Sequence, residues 1–203
     1  RSDGRSASLT APNGQAQQEL LMAALRDAAK TANAVSLSEA HGTGTALGDP
    51  IEAGSLAEVV LARHEAPLAV GSVKANIGHA EPAAGLTGLL KLAFGLRSNE
   101  AAPNAQLRVL NSHVLTALCA FSCVLVLGRT RIDELAELGG VSSFGYSGTI
   151  VHMVAQLASD AAPTVALAVT SRRLAFSWCS LPHPIDRKST RLNSSHTVIS
   201  YAV

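Results

Sequence analysis

A histidine in a glycine-rich loop, placed between an apolar stretch and a helix start, constrains this sequence most. The loop reads EAHGTGT over residues 39–45, and the apolar residues before it predict a short strand. Three residues that follow the loop predict the start of a helix. Asp49 suits the N-cap, Pro50 the first helical position and Glu52 the third position of a capping box. The pattern therefore predicts a strand–loop–helix unit that presents His41 on a rigid scaffold, where loops often carry chemistry.

A second stretch repeats this arrangement. Its residues 71–79 read GSVKANIGH, after an apolar strand predicted over 68–73 and before a small-residue helix predicted over 83–96. The second unit delivers Lys74 and His79 to a loop. Two imidazoles and an ammonium group can polarise a carbonyl oxygen and stabilise an enolate as its charge develops.

The motifs EAHGTGT, GDPIEA, KANIGH and the later SSFGYSGT resemble those of β-ketoacyl synthases. The flanking DGRSASLTAPNGQAQ is similar to the ketosynthase domains of modular polyketide synthases. The resemblance covers residues 3–156, and several ordered motifs make it far more specific than one short pattern. It implies an α/β, thiolase-like fold with α-β-α layers, of which this chain would be the C-terminal half.

The resemblance implies decarboxylative Claisen condensation of an acyl thioester with a malonyl-type extender. By motif, His41 and His79 would be the catalytic histidines that serve decarboxylation and the thioester carbonyl. Lys74 would be the lysine that orients and electrostatically supports them. Thr43 and Thr45 would line the pantetheine channel, although a plain role as loop hydroxyls is the alternative.

The turn after Phe144 departs from the usual family form FGFGGTN. Tyr146 stands where the second phenylalanine is expected, Ser147 replaces a glycine and Ile150 replaces the asparagine. The resemblance implies that Phe144 and Tyr146 contact the substrate channel, with Tyr146 in the position of a gate. We expect Ser147 to strain the turn if that position needs positive φ.

The nucleophilic cysteine of the family belongs to an upstream motif similar to DTACSS, which these residues do not contain. We therefore expect this fragment to be inactive in condensation and to expose apolar surface. Three alternatives stay open. They are a condensing enzyme of fatty-acid biosynthesis, an inactive synthase-like partner that binds the carrier, and a decarboxylase-only domain with glutamine in place of cysteine.

Composition and the resemblance together limit partners and cofactors. A net charge of +1 without a basic block gives no indication of nucleic acid or a membrane surface as partner. The resemblance implies an acyl carrier protein as partner, substrates held on its phosphopantetheine, no directly bound cofactor and a homodimer. No metal site is predicted, because the remaining histidines have no ligand spacing; they are His64, His113, His152 and His183.

An odd count of three cysteines fits a reducing compartment, so we expect a cytoplasmic protein. Cys119 and Cys123 fall in the apolar run 115–127, which predicts a strand or mixed structure, and we expect both to be buried.

Other parts of the chain also have clear patterns of secondary structure. Helical spacing predicts an amphipathic helix over 15–30. Residues 141–144 and 150–157 predict a hairpin. The glycines of the helix over 83–96 predict very close packing, as for a central buried helix.

The domain organisation follows from where these patterns stop. Residues 1–160 are assigned to the ketosynthase segment, and residues 161–185 have no recognisable register. Residues 186–203 read DRKSTRLNSSHTVISYAV, which can be the translation of a common sequencing adapter. We exclude this tail from the fold, as one would a fusion scar, although a native disordered tail is the alternative.

Overall fold

The structure is a computed structural model that describes residues 1–4, 11–105, 107–132 and 138–158. The two assignments for residues 161–185 and 186–203 lie outside the described residues and stay predictions.

The described chain alternates helices and strands, as the sequence patterns predict. The helices are α1 (Gly14–Asp27), α2 (Gly48–Val59), α3 (Lys74–Ile77), α4 (Ala84–Ser98) and α5 (Ser112–Leu118). The strands are β1 (Leu37–Glu39), β2 (Leu68–Gly71), β3 (Glu100–Ala101), β4 (Cys123–Leu125), β5 (Thr130–Arg131), β6 (Leu138–Phe144) and β7 (Ile150–Gln156). Short 3₁₀ turns cover Ala32–Ala34, Leu61–Arg63 and Glu81–Ala83.

Five strands form one sheet in the order β4-β2-β1-β6-β7. The pairs β4–β2, β2–β1 and β1–β6 are parallel, and β7 runs antiparallel to β6. This last pair is the predicted hairpin. In register, Glu39 at the end of β1 lies opposite Gly71 at the end of β2. The loops that follow these two strands therefore leave the sheet side by side.

The two faces of the sheet support two separate cores. Leu68 and Val70 of β2 belong to a cluster with residues of α1, α2 and α5, whereas Ala69 belongs to a cluster with residues of α4. Alternate residues of a strand point to opposite faces, so these helices cover opposite sides of the sheet. The α-β-α layers expected from the sequence are present in the described residues.

The predicted helix over 15–30 is confirmed as α1, which begins where the Asn13 side chain accepts a hydrogen bond from the Ala16 N–H at 3.1 Å. The apolar run 115–127 holds the end of α5 and then β4, so of the two predictions for it the mixed structure is the one observed. The predicted burial of Cys119 is wrong: the side chain is exposed after α5. Cys123 is half-buried.

Helix α4 packs on the sheet through its glycines. A Cβ atom at Gly95 would lie 2.8 Å from Leu37 Cδ2 and 3.0 Å from the Glu100 carbonyl oxygen. The close packing predicted from glycine content is therefore confirmed for this face of the helix.

The prediction of a central buried helix is wrong for the other face of α4 in the described residues. Leu86, Leu90 and Phe94 follow at helical spacing and are 61%, 51% and 67% exposed. No described residue covers this apolar stripe.

Two glycine-to-alanine substitutions should have opposite effects on stability. Gly95→Ala should lower the free energy of unfolding by about 1–3 kcal/mol, because its Cβ overlaps neighbouring atoms. Gly54→Ala in α2 should raise it by roughly 0.5–1 kcal/mol, because a Cβ there meets nothing within 4 Å and alanine favours a helix. Urea denaturation followed by circular dichroism measures both, and a Gly95→Ala variant at least as stable as the unaltered chain would contradict the packing assigned to α4.

Candidate active site

The carboxyl ends of β1 and β2 bring the two predicted histidines together. The Ala40 N–H donates to the Gly71 carbonyl oxygen at 2.7 Å, which keeps the two loops adjacent beyond the last strand residues. The ring centroids of His41 and His79 lie 5.9 Å apart, with an interplanar angle of 86°. Ligands of open α/β sheets bind at the carboxyl ends of the strands, and this is where the two rings lie.

Backbone amides determine the tautomer of both rings. The Phe144 N–H donates to His41 Nδ1 at 3.3 Å, and the Glu81 N–H donates to His79 Nδ1 at 3.0 Å. A ring nitrogen that accepts a hydrogen bond carries no proton, so each ring carries its proton on Nε2. Within the described residues neither Nε2 atom has a hydrogen-bond partner, which leaves two Nε2–H donors free for a ligand.

His41 is held in its neutral form by its surroundings. Burial, followed by the charge of Lys74 and the ring of His79, lowers the pKa of His41 from 6.5 to about 4. A neutral imidazole at pH 7 can donate a hydrogen bond from Nε2 without carrying a positive charge. His41 is thus suited to stabilise a developing oxyanion by hydrogen bonding.

Lys74 begins α3, in the loop that leads to His79. Burial lowers its pKa, and the carboxylates of Glu52, Glu39 and Asp49 oppose that shift in this order. None of the ion pairs found in the described residues involves Lys74, so its charge acts on the site through space.

Glu52 holds the loop that carries His41. Its carboxylate accepts the N–H groups of His41 at 2.7 Å and Gly42 at 2.9 Å. Burial raises the pKa of Glu52 from 4.5 to about 7, although these two hydrogen bonds and Lys74 oppose the shift.

The capping box predicted for Asp49 and Glu52 is wrong. Helix α2 begins at Gly48, whose N–H donates to Thr45 Oγ1 at 3.0 Å. Asp49 lies inside the helix, and its carboxylate accepts from the Gly44 N–H at 3.1 Å. The loop folds back over the start of the helix. The carboxylates of Asp49 and Glu52 therefore accept hydrogen bonds from loop N–H groups and not from the N–H groups of the first helical turn.

The second loop is held by two side chains whose role as hydrogen-bond acceptors was not predicted from the sequence. Glu39 Oε1 accepts the N–H of Val73, and Asn104 Oδ1 accepts the N–H of Ser72 at 2.9 Å. Asn104 is buried, and its Nδ2 group donates to the Val126 carbonyl oxygen at 3.2 Å. In the sequence Asn104 directly follows Pro103, and no pattern there predicts a contact with Ser72.

The other four predicted site residues, which are Thr43, Thr45, Phe144 and Tyr146, differ in how close they lie to the histidines and in how exposed they are. The Phe144 ring centroid is 5.4 Å from that of His41, whereas Tyr146 is 79% exposed in the turn between β6 and β7. Thr43 and Thr45 lie in the loop after His41, with their hydroxyl oxygens 3.4 Å apart. The assignment of these four residues to a substrate channel stays a prediction.

The expected strain at Ser147 is wrong. Positive φ in this turn falls on Gly148, at 89°, and Ser147 is not among the non-glycine residues with positive φ. The turn closes through the Gly145 N–H, which donates to the Thr149 carbonyl oxygen at 2.6 Å.

Neither described cysteine belongs to the His41 site. Cys123 lies in β4 at the edge of the sheet, and Cys119 follows α5 on the surface.

The described residues contain no group of three or more His, Cys, Asp or Glu side chains that could hold a metal ion. Among the described helices, none has the length and apolar character needed to cross a bilayer.

Residues 1–108, more than half of the chain, match the family model described as "Beta-ketoacyl synthase, C-terminal domain". The spectinabilin polyketide synthase system protein NorC of Streptomyces orinoci is 42% identical over an alignment of 172 residues, and the match covers 79% of this chain and 7% of that protein. The erythronolide synthase EryA3 of Saccharopolyspora erythraea is 41% identical over 161 residues, 78% of this chain and 5% of that protein. The chain thus spans less than a tenth of the length of these relatives.

Solved structures of ketosynthase domains are also similar to this chain. The oxazolomycin ketosynthase domain OzmH KS7 of Streptomyces albus JA3453 matches with a TM-score of 0.70 and 30% identity, over 78% of this chain and 29% of that chain. Ketosynthase twelve of the bacillaene polyketide synthase of Bacillus amyloliquefaciens matches with a TM-score of 0.71 and 31% identity, over the same shares of 78% and 29%. The thiolase-like α/β fold predicted from the motifs is confirmed.

Glu52→Gln should change how stability depends on pH. In the folded chain Glu52 keeps its proton from pH 4.5 up to about 7, where the unfolded chain has already lost it. The folded state then binds more protons, so Glu52 makes the free energy of unfolding fall as the pH rises through this window. The variant lacks this term, and urea unfolding between pH 4.5 and 7 should show its stability deficit shrinking with rising pH.

Glu58→Gln, an exposed carboxylate on the same helix, is the control and should give a curve parallel to that of the unaltered chain. A parallel curve for Glu52→Gln would contradict the assigned burial of this carboxyl group.

The tautomer and protonation of His41 can be measured directly. Long-range ¹H–¹⁵N spectra of the ring should show the Nε2–H form at neutral pH, with protonation only near pH 4. His79 should show the same tautomer. A proton on Nδ1 of His41 at neutral pH would contradict the hydrogen bond from Phe144.

Proposed function

This chain belongs to the family of beta-ketoacyl synthase C-terminal domains, and we propose that it supplies the decarboxylation and enolate-stabilising half of a polyketide-synthase ketosynthase. The whole reaction would be condensation of an acyl thioester with a malonyl-type extender. The observation that carries the proposal is the pair of Nε2–H donors on His41 and His79, 5.9 Å apart between ring centroids.

In the proposed decarboxylation step, the thioester carbonyl oxygen of the extender accepts hydrogen bonds from His41 and His79. The bond between the extender's carboxylate carbon and its α-carbon breaks, and carbon dioxide leaves. The electron pair left on the α-carbon delocalises onto the thioester oxygen as an enolate. Hydrogen bonds directed at this oxygen strengthen as its charge develops, so they lower the barrier.

In the condensation step, the enolate α-carbon attacks the carbonyl carbon of an acyl thioester held on a cysteine. A carbon–carbon bond forms, the carbon–sulfur bond breaks, and the cysteine leaves as a thiolate. The charge of Lys74 lowers the pKa values of Glu39, Asp49 and Glu52, and in this proposal it also supports the histidine pair. No directly bound cofactor is needed for either step.

We propose that the nucleophilic cysteine comes from protein outside these 203 residues. Cys119 and Cys123 are placed away from the histidine loops in the fold, which supports this view. The exposed stripe of Leu86, Leu90 and Phe94 would then contact the remainder of the synthase domain. The 203-residue chain by itself should not condense acyl chains.

The partners follow from the same proposal. The extender would arrive on the phosphopantetheine of an acyl carrier protein, with Thr43, Thr45, Phe144 and Tyr146 along its path. The complete domain would form a homodimer.

The histidine pair can be tested in a domain graft. Residues 1–158 would replace the matching segment of the OzmH KS7 domain, and carbon dioxide release from malonyl-carrier would be measured. His41→Ala or His79→Ala should lower the rate by about 10²–10³-fold, the usual effect of removing one oxyanion donor. His113→Ala, an exposed histidine of α5, is the matched control and should leave the rate unchanged.

Condensation to a β-ketoacyl product would be followed in parallel. A graft whose decarboxylation survives loss of both histidines would refute the proposal. Product formation by the 203-residue chain alone would refute the assignment of the cysteine to protein outside it.

A further inference from the structure

Glu39 and Lys91 form a buried ion pair beneath the two loops. Lys91 Nζ lies 2.6 Å from Glu39 Oε2, and the side chains of Lys91 and Glu39 are only 16% and 5% exposed. Glu39 is the last residue of β1, and Lys91 comes from the middle of α4 on one face of the sheet.

Stability alone is a weak explanation for such a pair. Removing two charges from water is expensive, and replacing a buried ion pair by apolar side chains of similar size is often neutral or stabilising. A buried pair is better explained when its geometry fixes one arrangement among several.

The second oxygen of Glu39 shows which arrangement is fixed. While Oε2 binds Lys91, Oε1 accepts the N–H of Val73, the residue directly before Lys74. Glu39 itself is two residues before His41 in sequence. One carboxylate therefore joins the strand that leads into the His41 loop, the turn before Lys74, and helix α4.

Glu100 and Arg129 provide a contrasting pair. They line the same cavity of about 340 Å³ as Glu39 and Lys91, with Arg129 Nε 3.4 Å from Glu100 Oε2. The Arg129 side chain is 77% exposed, and no hydrogen bond in the described residues joins this pair to the histidine loops. Both ion pairs therefore line the same cavity, but only the Glu39–Lys91 pair has a hydrogen bond to one of the histidine loops.

We propose that Glu39 is a positioning residue, which Lys91 holds in the orientation that fixes the Val73–Lys74 turn against the His41 loop. The role in catalysis rests on the function proposed above. The structural part, that Glu39 holds the Val73 amide, can be tested without any activity.

Two double variants isolate the acceptor at position 39. Glu39→Met/Lys91→Met removes both charges and the acceptor of the Val73 amide. Glu39→Gln/Lys91→Met also removes both charges but keeps an acceptor oxygen. Glu100→Gln is the control for loss of a carboxylate beside the same cavity. Both doubles should remain folded, since neither leaves a buried charge without its partner.

The first readout is hydrogen exchange of the Val73 amide in the 203-residue chain. The rate is expressed relative to the Leu92 amide in the same sample, which cancels changes in global stability. We expect exchange at Val73 to be at least about tenfold faster in the Met/Met variant, as for loss of a hydrogen bond to a charged group. The Gln/Met variant and Glu100→Gln should stay close to the unaltered chain.

The second readout is decarboxylation in the domain graft. The Met/Met variant should lower kcat about tenfold or more, with KM for malonyl-carrier changed less than about threefold, because misplaced catalytic groups affect the chemical step. The Gln/Met variant should recover most of the rate.

The proposal is overturned if Val73 exchange is unchanged in the Met/Met variant. It is also overturned if both doubles release the amide or lose kcat equally, since a merely structural pair would behave in this way. If the unaltered graft proves inactive, the proposed function fails, and the exchange comparison by itself decides whether Glu39 holds the turn.

Discussion

The site depends on carboxylate and amide side chains that accept the backbone N–H groups of its two loops. These loops leave the sheet at the ends of β1 and β2, where strand pairing stops and the backbone amides lose their partners. Glu52 accepts those of His41 and Gly42, while Glu39 and Asn104 accept those of the second loop. A buried N–H without a partner costs about 1–3 kcal/mol, so these acceptors determine where the loops can lie.

The same burial that fixes the loops sets the charge of the site. It raises the pKa of Glu52 and lowers the pKa values of His41 and Lys74. These shifts all favour the less charged form of the group. In such a desolvated site, a charge that develops on a ligand interacts more strongly with nearby hydrogen-bond donors and charges than it would in water. Loop structure and electrostatic character are therefore two results of one desolvated arrangement.

Local patterns in the sequence were sufficient for the strand–loop–helix units, the α1 helix, the hairpin and the positions of His41 and His79. They failed where a long-range contact replaced a local one. Asp49 and Glu52 satisfy the spacing of a capping box, yet the loop folds back and takes both carboxylates. Asn104 lies 32 residues from the amide of Ser72 that it accepts, and no periodicity connects such positions. Cys119 had an apolar neighbourhood in sequence but an exposed position in space.

Helix α4 links the core of the fold to the site. A Cβ atom at Gly88 would lie 3.3 Å from Glu39 Cγ and 3.3 Å from Val141 Cγ2, tighter than most contacts of this kind. The missing side chain allows the helix to approach β1 closely, and Lys91, one turn further on, then reaches the Glu39 carboxylate. A larger residue at position 88 would push the helix away from the strand and lengthen that ion pair. The glycine content of α4 therefore serves the geometry of the loops as well as the packing of the sheet.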